Sequence, residues 1–386
     1  MQKNRKKYVV AIAGGGTGGH IYPGIAVADE IRNLISGKDI DLEINWIGSS
    51  RGMDKNLVER SFVSNGGSID RFYGIPSGKL RRYLTIRNFF DLFKILAGFI
   101  KAFFILARMK PDCLFSKGGF VSVPPCMAAG ILGIPFFTHE CDFTPGLATR
   151  INSRKAKNVF VSYEDTKKYF PESVKSKCVV TGNPVRPVFY EDHSKDGLKF
   201  LGIPSDHKKP VLLVIGGSLG ALQINNLVTE SLAELKKNFI VVHQTGKSFA
   251  DDNPAIMSSA DENYKPYAFI YNEMVAVIQA SDVILSRSGA NSLSECSVCA
   301  KPMVLIPLCG SGTRGDQVDN ARFFESKGAA VVLVGKDAEK GRLLENLLAL
   351  LDENRRKEMS SRCLLLTAGT KPVSKIAELV LKEIGL

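Results

Sequence analysis

Two glycine-rich runs define the chemistry open to this sequence. Gly14-Gly15-Gly16-Thr17-Gly18-Gly19-His20 follows the apolar run Tyr8–Ala13, and Gly216-Gly217-Ser218-Leu219-Gly220-Ala221 follows Val211–Ile215. Each reads as a buried strand, a tight turn and the start of a helix. Glycine lets backbone N–H groups approach a phosphate closely, and the helix N-terminus favours the anion. The first run also satisfies G-x-G-x-x-G, with Asp39 and Asp41 about 20 residues on, so a dinucleotide reading is open. His20 stands at the mouth of that loop, where it can bind substrate or move a proton, or simply cap the loop.

Three further segments carry polar groups where strands give way to loops. Ser116-Lys117-Gly118-Gly119 follows the strand Cys113–Ser116, and Thr138-His139-Glu140-Cys141-Asp142 follows Pro135–Thr138. His139 and Glu140 fit a functional pair and a buried hydrogen-bonded pair equally well. Ser286 to Glu295 runs from strand into helix, and Glu295 can grip two ribose hydroxyls or serve as an ordinary glutamate near a helix start. Gly310 to Gln317 reads as a flexible loop able to close on a ligand.

The elements that must hold these residues alternate between strand and helix. Strands are expected at Tyr8–Ala13, Leu42–Ile47, Cys113–Ser116, Pro135–Thr138, Asn158–Val161 and Lys177–Thr181 in the first half. In the second they are Val211–Ile215, Ile240–His243, Tyr267–Ile270, Val283–Leu285, Met303–Ile306 and Ala330–Val334. This is the pattern of doubly wound parallel sheets, which bind ligands at the carboxyl ends of their strands. Gly182-Asn183-Pro184-Val185-Arg186-Pro187 is a rigid turn that marks a domain boundary, and Pro372–Leu386 reads as a helix.

The charge is uneven. Residues 1–190 carry 28 Lys and Arg against 15 Asp and Glu, so all of the net +12 lies in the first half. That half is expected to meet something anionic; no nucleic-acid motif accompanies it. Residues 87–108 form a helix with Arg87, Lys94, Lys101 and Arg108 at seven-residue spacing and an apolar arc wider than one sheet requires. Charge interrupts it too often for a membrane span, so interfacial contact is expected, with phenylalanines in the interface and basic groups on anionic headgroups. The apolar run at the start is too short for a signal peptide, which implies a cytoplasmic protein. The eight cysteines are scattered, and Cys296-x-x-Cys299 lacks a second pair, so reduced thiols are expected and no metal site.

In order and spacing, GGGTGGHIYPGIAVADEI, KGGFVSVP, PFFTHE, GNPVR, GGSLGA, RSGANSLSE and DQVDNA resemble the MurG family. Its members are the UDP-N-acetylglucosamine:N-acetylmuramyl-(pentapeptide) pyrophosphoryl-undecaprenol N-acetylglucosaminyltransferases of peptidoglycan biosynthesis. The resemblance covers nearly the whole chain, and its motifs are specific only in combination. It implies an α/β GT-B fold, two Rossmann-like doubly wound domains with parallel sheets facing a central cleft. Residues 1–186 would form the acceptor and membrane-facing domain, 187–370 the UDP-GlcNAc domain, and 371–386 a helix packing back on the first domain.

The resemblance also implies roles for residues. His20 is the first candidate for general base, with Glu140 and Asp142 as alternatives. Thr17, Gly18, Gly19, Asp142, Arg186, Gly217, Ser218, Gly220, Ile270, Ala290, Glu295 and Gln317 would hold UDP-GlcNAc. Gly15, Gly16, Gly118 and Gly119 would face the acceptor pyrophosphate. Lys79, Arg81, Arg82, Phe90, Lys94, Lys101 and Phe104 would contact the inner membrane from its cytoplasmic face. The sequence departs from the family pattern at Cys141-Asp142, Leu219 and Asn291-Ser292. The implied reaction is inverting transfer of GlcNAc to lipid I, with UDP-GlcNAc as co-substrate, no cofactor, no obligatory metal, and other cell-wall and division proteins as further partners. Rival readings are a related GT-B enzyme with another lipid acceptor, a UDP-GlcNAc epimerase, a UDP-sugar sensor or scaffold, and a nicotinamide dehydrogenase.

Overall fold

Thirteen strands form two parallel sheets in the computed structural model, which describes residues 6–78, 86–216, 221–310, 313–367 and 371–386, with backbone alone at 86–90. The chain divides into two units, Met1–Arg186 with Thr370–Leu386, and Pro187–Gly369.

In the first unit the strands are β1 (Lys7–Gly14), β2 (Asp41–Ser49), β3 (Arg71–Ile75), β4 (Cys113–Gly118), β5 (Phe136–Glu140), β6 (Asn158–Val161) and β7 (Cys178–Val180). Their order is β3-β2-β1-β4-β5-β6-β7. The winding reverses between β1 and β4, so the loops after these two strands diverge at a switch point, where such sheets bind ligands. Alternation along each strand feeds two cores. Val10, Ile12, Trp46, Phe115 and Phe137 face helices Gly18–Leu34 and Pro372–Ile384. Ala11, Ala13, Ile47, Leu114 and Phe136 face helices Ile86–Met109 and Val123–Leu132. β3 was not expected from the sequence; Arg-Phe-Tyr-Gly-Ile is an edge strand with mixed polarity and an internal glycine.

In the second unit the strands are β8 (Val211–Ile215), β9 (Ile240–Gln244), β10 (Tyr264–Tyr267), β11 (Val283–Ser286), β12 (Met303–Leu305) and β13 (Ala330–Val332), ordered β10-β9-β8-β11-β12-β13. The switch point lies between β8 and β11. The strand expected at Tyr267–Ile270 is displaced: β10 ends at Tyr267, and the Ile270 N–H donates to Gln244 Oε1 at 2.8 Å in place of a ladder bond.

Helix Ile86–Met109 packs through Gly98, Ala102 and Leu106. A side chain at Gly98 would start 2.1 Å from the Pro76 carbonyl oxygen, so this crossing requires glycine. The outer face leaves Leu92, Phe93, Leu96, Ile100 and Phe104 exposed, Phe104 by 67%. Among the described residues no helix is long and apolar enough to cross a membrane.

Candidate active site

The first glycine loop is held from below by an acid the sequence reading did not single out. Asp54, in the short helix Asp54–Glu59, accepts the Gly16 N–H at 2.9 Å and the Ser49 N–H at 2.8 Å. A methyl group at Gly15 would fall 1.8 Å from Asp54 Oδ2, so Gly15 is required for this contact. Burial raises the Asp54 pKa, and the Ser49 and Gly16 amides oppose it. Gly16, at φ +82°, thus turns its N–H inward. Of the glycines expected to face the acceptor pyrophosphate, Gly16 has its amide engaged by the Asp54 carboxylate. Trp46 closes the other side by donating Nε1–H to the Gly14 carbonyl at 3.0 Å.

The loop after β4 meets the loop after β1 because the two strands are neighbours. Gly118 (φ +92°) and Gly119 (φ +78°) occupy the left-handed region. A methyl group at Gly119 would lie 2.7 Å from His20 Cδ2, so the His20 ring rests directly on this glycine. His20 thereby joins both loops, in the first turn of helix Gly18–Leu34 with Thr17 as N-cap. The acid needed for a dinucleotide is misplaced: Asp41 pairs with Lys7 at the amino end of the sheet, away from the glycine loop.

His139 and Glu140 do not pair with each other. His139 donates Nε2–H to the Gly182 carbonyl at 2.9 Å. Burial, then the charge of Lys117, keeps its imidazole well below the ordinary histidine range and therefore neutral. Glu140 Oε1 accepts the Asp142 N–H at 3.1 Å and Oε2 the Gly146 N–H at 2.8 Å. With both oxygens accepting backbone N–H groups, Glu140 braces the 141–146 loop. Asp142 is partly exposed. Glu140, Cys141 and Asp142 present ligand atoms within 4.8 Å of one another, and Glu140 also accepts two backbone N–H groups of its loop.

In the second unit, Gly217, Ser218 and Gly220 lie outside the described residues, between β8 and helix Leu222–Asn238. Ile270 is buried, and its chain neighbours Phe269 and Tyr271 form a tilted ring pair with centroids 4.6 Å apart. Its amide is taken by Gln244, so its carbonyl is what it can offer a base. Ala290 opens helix Ala290–Val298, and Glu295, partly buried, follows in its second turn. Gln317, in helix Asp316–Ser326, accepts the Leu308 N–H on Oε1 at 2.9 Å, leaving its NH2 group to donate. Ser288 Oγ donates to the Gln317 carbonyl at 2.6 Å and ties the β11 and β12 loops together. Arg186, at the end of the first unit, is exposed.

On the remaining helix, Lys94 pairs with Asp91 at 2.8 Å, while Lys101 and Phe104 line a recess of about 630 Å³ with Arg71, Tyr73 and Arg108. Lys79, Arg81, Arg82 and the Phe90 side chain lie outside the described residues.

Residues 10–161 match the glycosyltransferase family 28 N-terminal domain, and residues 211–380 match the family's C-terminal domain. The chain belongs to glycosyltransferase family 28. Family 28 membership makes it a glycosyltransferase and fits the two parallel sheets, which together are the GT-B fold. A UDP-N-acetylglucosamine--N-acetylmuramyl-(pentapeptide) pyrophosphoryl-undecaprenol N-acetylglucosamine transferase of Treponema denticola is 47% identical over 382 residues, 96% of each chain. A Bacillus cereus protein of the same designation, numbered 2, is 36% identical over 96% of this chain and 98% of its own. Among solved structures, Acinetobacter baumannii MurG aligns with a TM-score of 0.73 at 24% identity, covering 98% of this chain and all of that one. The Neisseria meningitidis UDP-GlcNAc 2-epimerase shares the fold at 16% identity, with a TM-score of 0.62 over 98% of this chain and 99% of that one.

Proposed function

We propose that this family 28 enzyme transfers GlcNAc from UDP-GlcNAc to the C4 hydroxyl of MurNAc in undecaprenyl-pyrophosphoryl-MurNAc-pentapeptide, lipid I, giving lipid II with inversion. The observation that carries the reading is 47% identity, over 96% of both chains, to the Treponema transferase named for that reaction. The 4-hydroxyl oxygen attacks GlcNAc C1, the C1–O bond to the diphosphate breaks, and UDP leaves. His20 takes the hydroxyl proton, a contribution of roughly 10²–10⁴-fold for a positioned base. Its place on Gly119, at the meeting of two glycine loops, supports this role. Asp142 is the alternative base.

The second unit takes the donor. The Ile270 carbonyl reads the uracil, Glu295 holds the ribose hydroxyls, and Gln317 donates its NH2 to the sugar. Gly217, Ser218 and Gly220, with Ala290 and Arg186, complete the UDP-GlcNAc site, and the N-terminus of helix Leu222–Asn238 meets the charge on the leaving diphosphate. The first unit takes the acceptor on Gly15, Gly118 and Gly119, with Thr17, Gly18 and Gly19 at the reacting centre. The enzyme works peripherally at the cytoplasmic face of the inner membrane. Exposed Phe93, Leu96, Ile100 and Phe104 beside Lys94 and Lys101 support contact with an anionic lipid surface.

The test is UDP release from UDP-GlcNAc with and without a soluble lipid I analogue. Release that requires the analogue, with GlcNAc appearing on it, is the expected result. Release without acceptor indicates an epimerase or hydrolase and overturns the proposal. Binding without release leaves a sensor.

A further inference from the structure

The His20 ring rests on Gly119, so whatever fixes Gly119 also fixes the imidazole. Ser122 supplies such a restraint. It is the N-cap of helix Val123–Leu132, where a serine oxygen ordinarily accepts the N–H of the second or third helical residue. Here those residues are Pro124 and Pro125, which have no N–H to give. The hydroxyl turns back instead and donates to the Gly119 carbonyl at 2.9 Å, beside the Ser122 backbone N–H at 3.1 Å. One carbonyl takes two donors from one residue, which pins the peptide plane after Gly119.

With its proton committed, the Ser122 oxygen is left to accept, and Asn152 donates to it from Nδ2 at 3.0 Å. Asn152 ends the short helix Leu147–Asn152, whose start is tied to Glu140 through the Gly146 N–H. Ser122 is fully buried, and Asn152 is 2% exposed. Asn152 Oδ1, the other end of the same amide, has no hydrogen-bond partner among the described residues. A stranded buried acceptor is unfavourable, and an apolar side chain would avoid it. What asparagine adds at this position is the hydrogen bond from Nδ2.

We propose that Asn152 and Ser122 form a positioning relay for His20. Asn152 orients the Ser122 hydroxyl, the hydroxyl holds the Gly119 carbonyl, and Gly119 sets where the imidazole stands. Both are positioning residues that act through Gly119. The relay also joins the loop after β5, which carries Asp142, to the loop after β4. Its catalytic consequence rests on the proposed function, in which His20 is the base. The restraint itself does not.

The experiment compares full-length wild type with Asn152→Leu, Ser122→Ala, His20→Ala and the double variant combining Asn152→Leu with His20→Ala. Ser122→Ala only removes an oxygen, so it guards against a packing fault from the bulkier leucine. Transfer kinetics use a soluble lipid I analogue. The Cε1–H signals of the five histidines are followed by NMR, the His20 signal being the one missing from His20→Ala. Asn152→Leu and Ser122→Ala should each lower kcat about tenfold, a moderate loss for a misplaced catalytic group, with donor KM within about twofold. In the His20→Ala background, Asn152→Leu should cost nothing further. The His20 signal should shift in both single variants, while those of His193, His207 and His243 stay in place.

An equal loss of kcat from Asn152→Leu with and without His20 bypasses the imidazole and overturns the relay. An unmoved His20 signal in both single variants overturns it as well. A shifted signal with unchanged kcat upholds the restraint and overturns its catalytic consequence. Wild type that transfers no GlcNAc overturns the proposed function instead, and the His20 signal then decides the relay by itself.

Discussion

At position 119 only glycine leaves room for the His20 ring, and that contact fixes the imidazole at the meeting of two loops. His20→Ala should lower kcat by about 10²-fold or more, the range for a lost general base, while donor KM stays within about twofold. Steady-state kinetics on both substrates checks this, and near-normal kcat removes His20 as the base. Asp54→Ala leaves the Gly16 and Ser49 amides without their acceptor, a loss of about 1–3 kcal/mol for each buried donor left unsatisfied. Urea unfolding should show that loss, and acceptor KM should rise more than donor KM. His20 was legible because it adjoins its glycine loop in sequence. Asp54 was not, because it lies 38 residues from the amide it holds and a carboxylate in a short helix carries no local signal. Glu140 was legible as a polar group at a strand end, but only its two backbone partners show that it braces a loop.

The helix Ile86–Met109 shows what periodicity can and cannot say. Its spacing identified a helix with a basic stripe and surplus apolar area. Which apolar residues remain outside depends on Gly98, Ala102 and Leu106 turning inward against Pro76 and the sheet. Phe93→Ser with Phe104→Ser should weaken binding to anionic phospholipid vesicles by about tenfold or more, since each large apolar side chain is worth about 1.5–3 kcal/mol when fully buried. Cosedimentation measures this, and kcat on a soluble acceptor should not change. Unchanged vesicle binding would falsify the membrane role of this face. Strand ends were harder to read than strand centres: β10 stops at Tyr267, and beyond it the Ile270 amide donates to the side chain of Gln244, 26 residues away.

Across the whole molecule, stability should depend on pH through buried histidines. His243 is buried between Tyr264 and Asn225, and burial lowers its pKa from 6.5 to about 4. The folded state therefore binds this proton less tightly than the unfolded chain. Its contribution is fully present above pH 6.5 and is lost as pH falls toward 4, at most about 3 kcal/mol. His139 acts in the same direction. Urea unfolding at pH 7 and pH 4.5 should show the fall, and His243→Gln should flatten it. The second expectation at this scale is chemical: if the leaving diphosphate is met by backbone amides and a helix start, as proposed, transfer should persist in excess EDTA.

Sequence alone determined the alternation of strand and helix, the two glycine loops and the family, because these are written in local patterns of apolar residues and glycine. It also marked Pro372–Leu386 as helical. Only the tertiary structure decided that this helix buries Val373, Ile376, Val380 and Ile384 in the core of the first unit, with helix Gly18–Leu34. Only the tertiary structure placed Asp54 under Gly16 and His20 on Gly119. Each of these contacts joins residues far apart in the chain, and strand order, which local propensity does not encode, sets which loops meet.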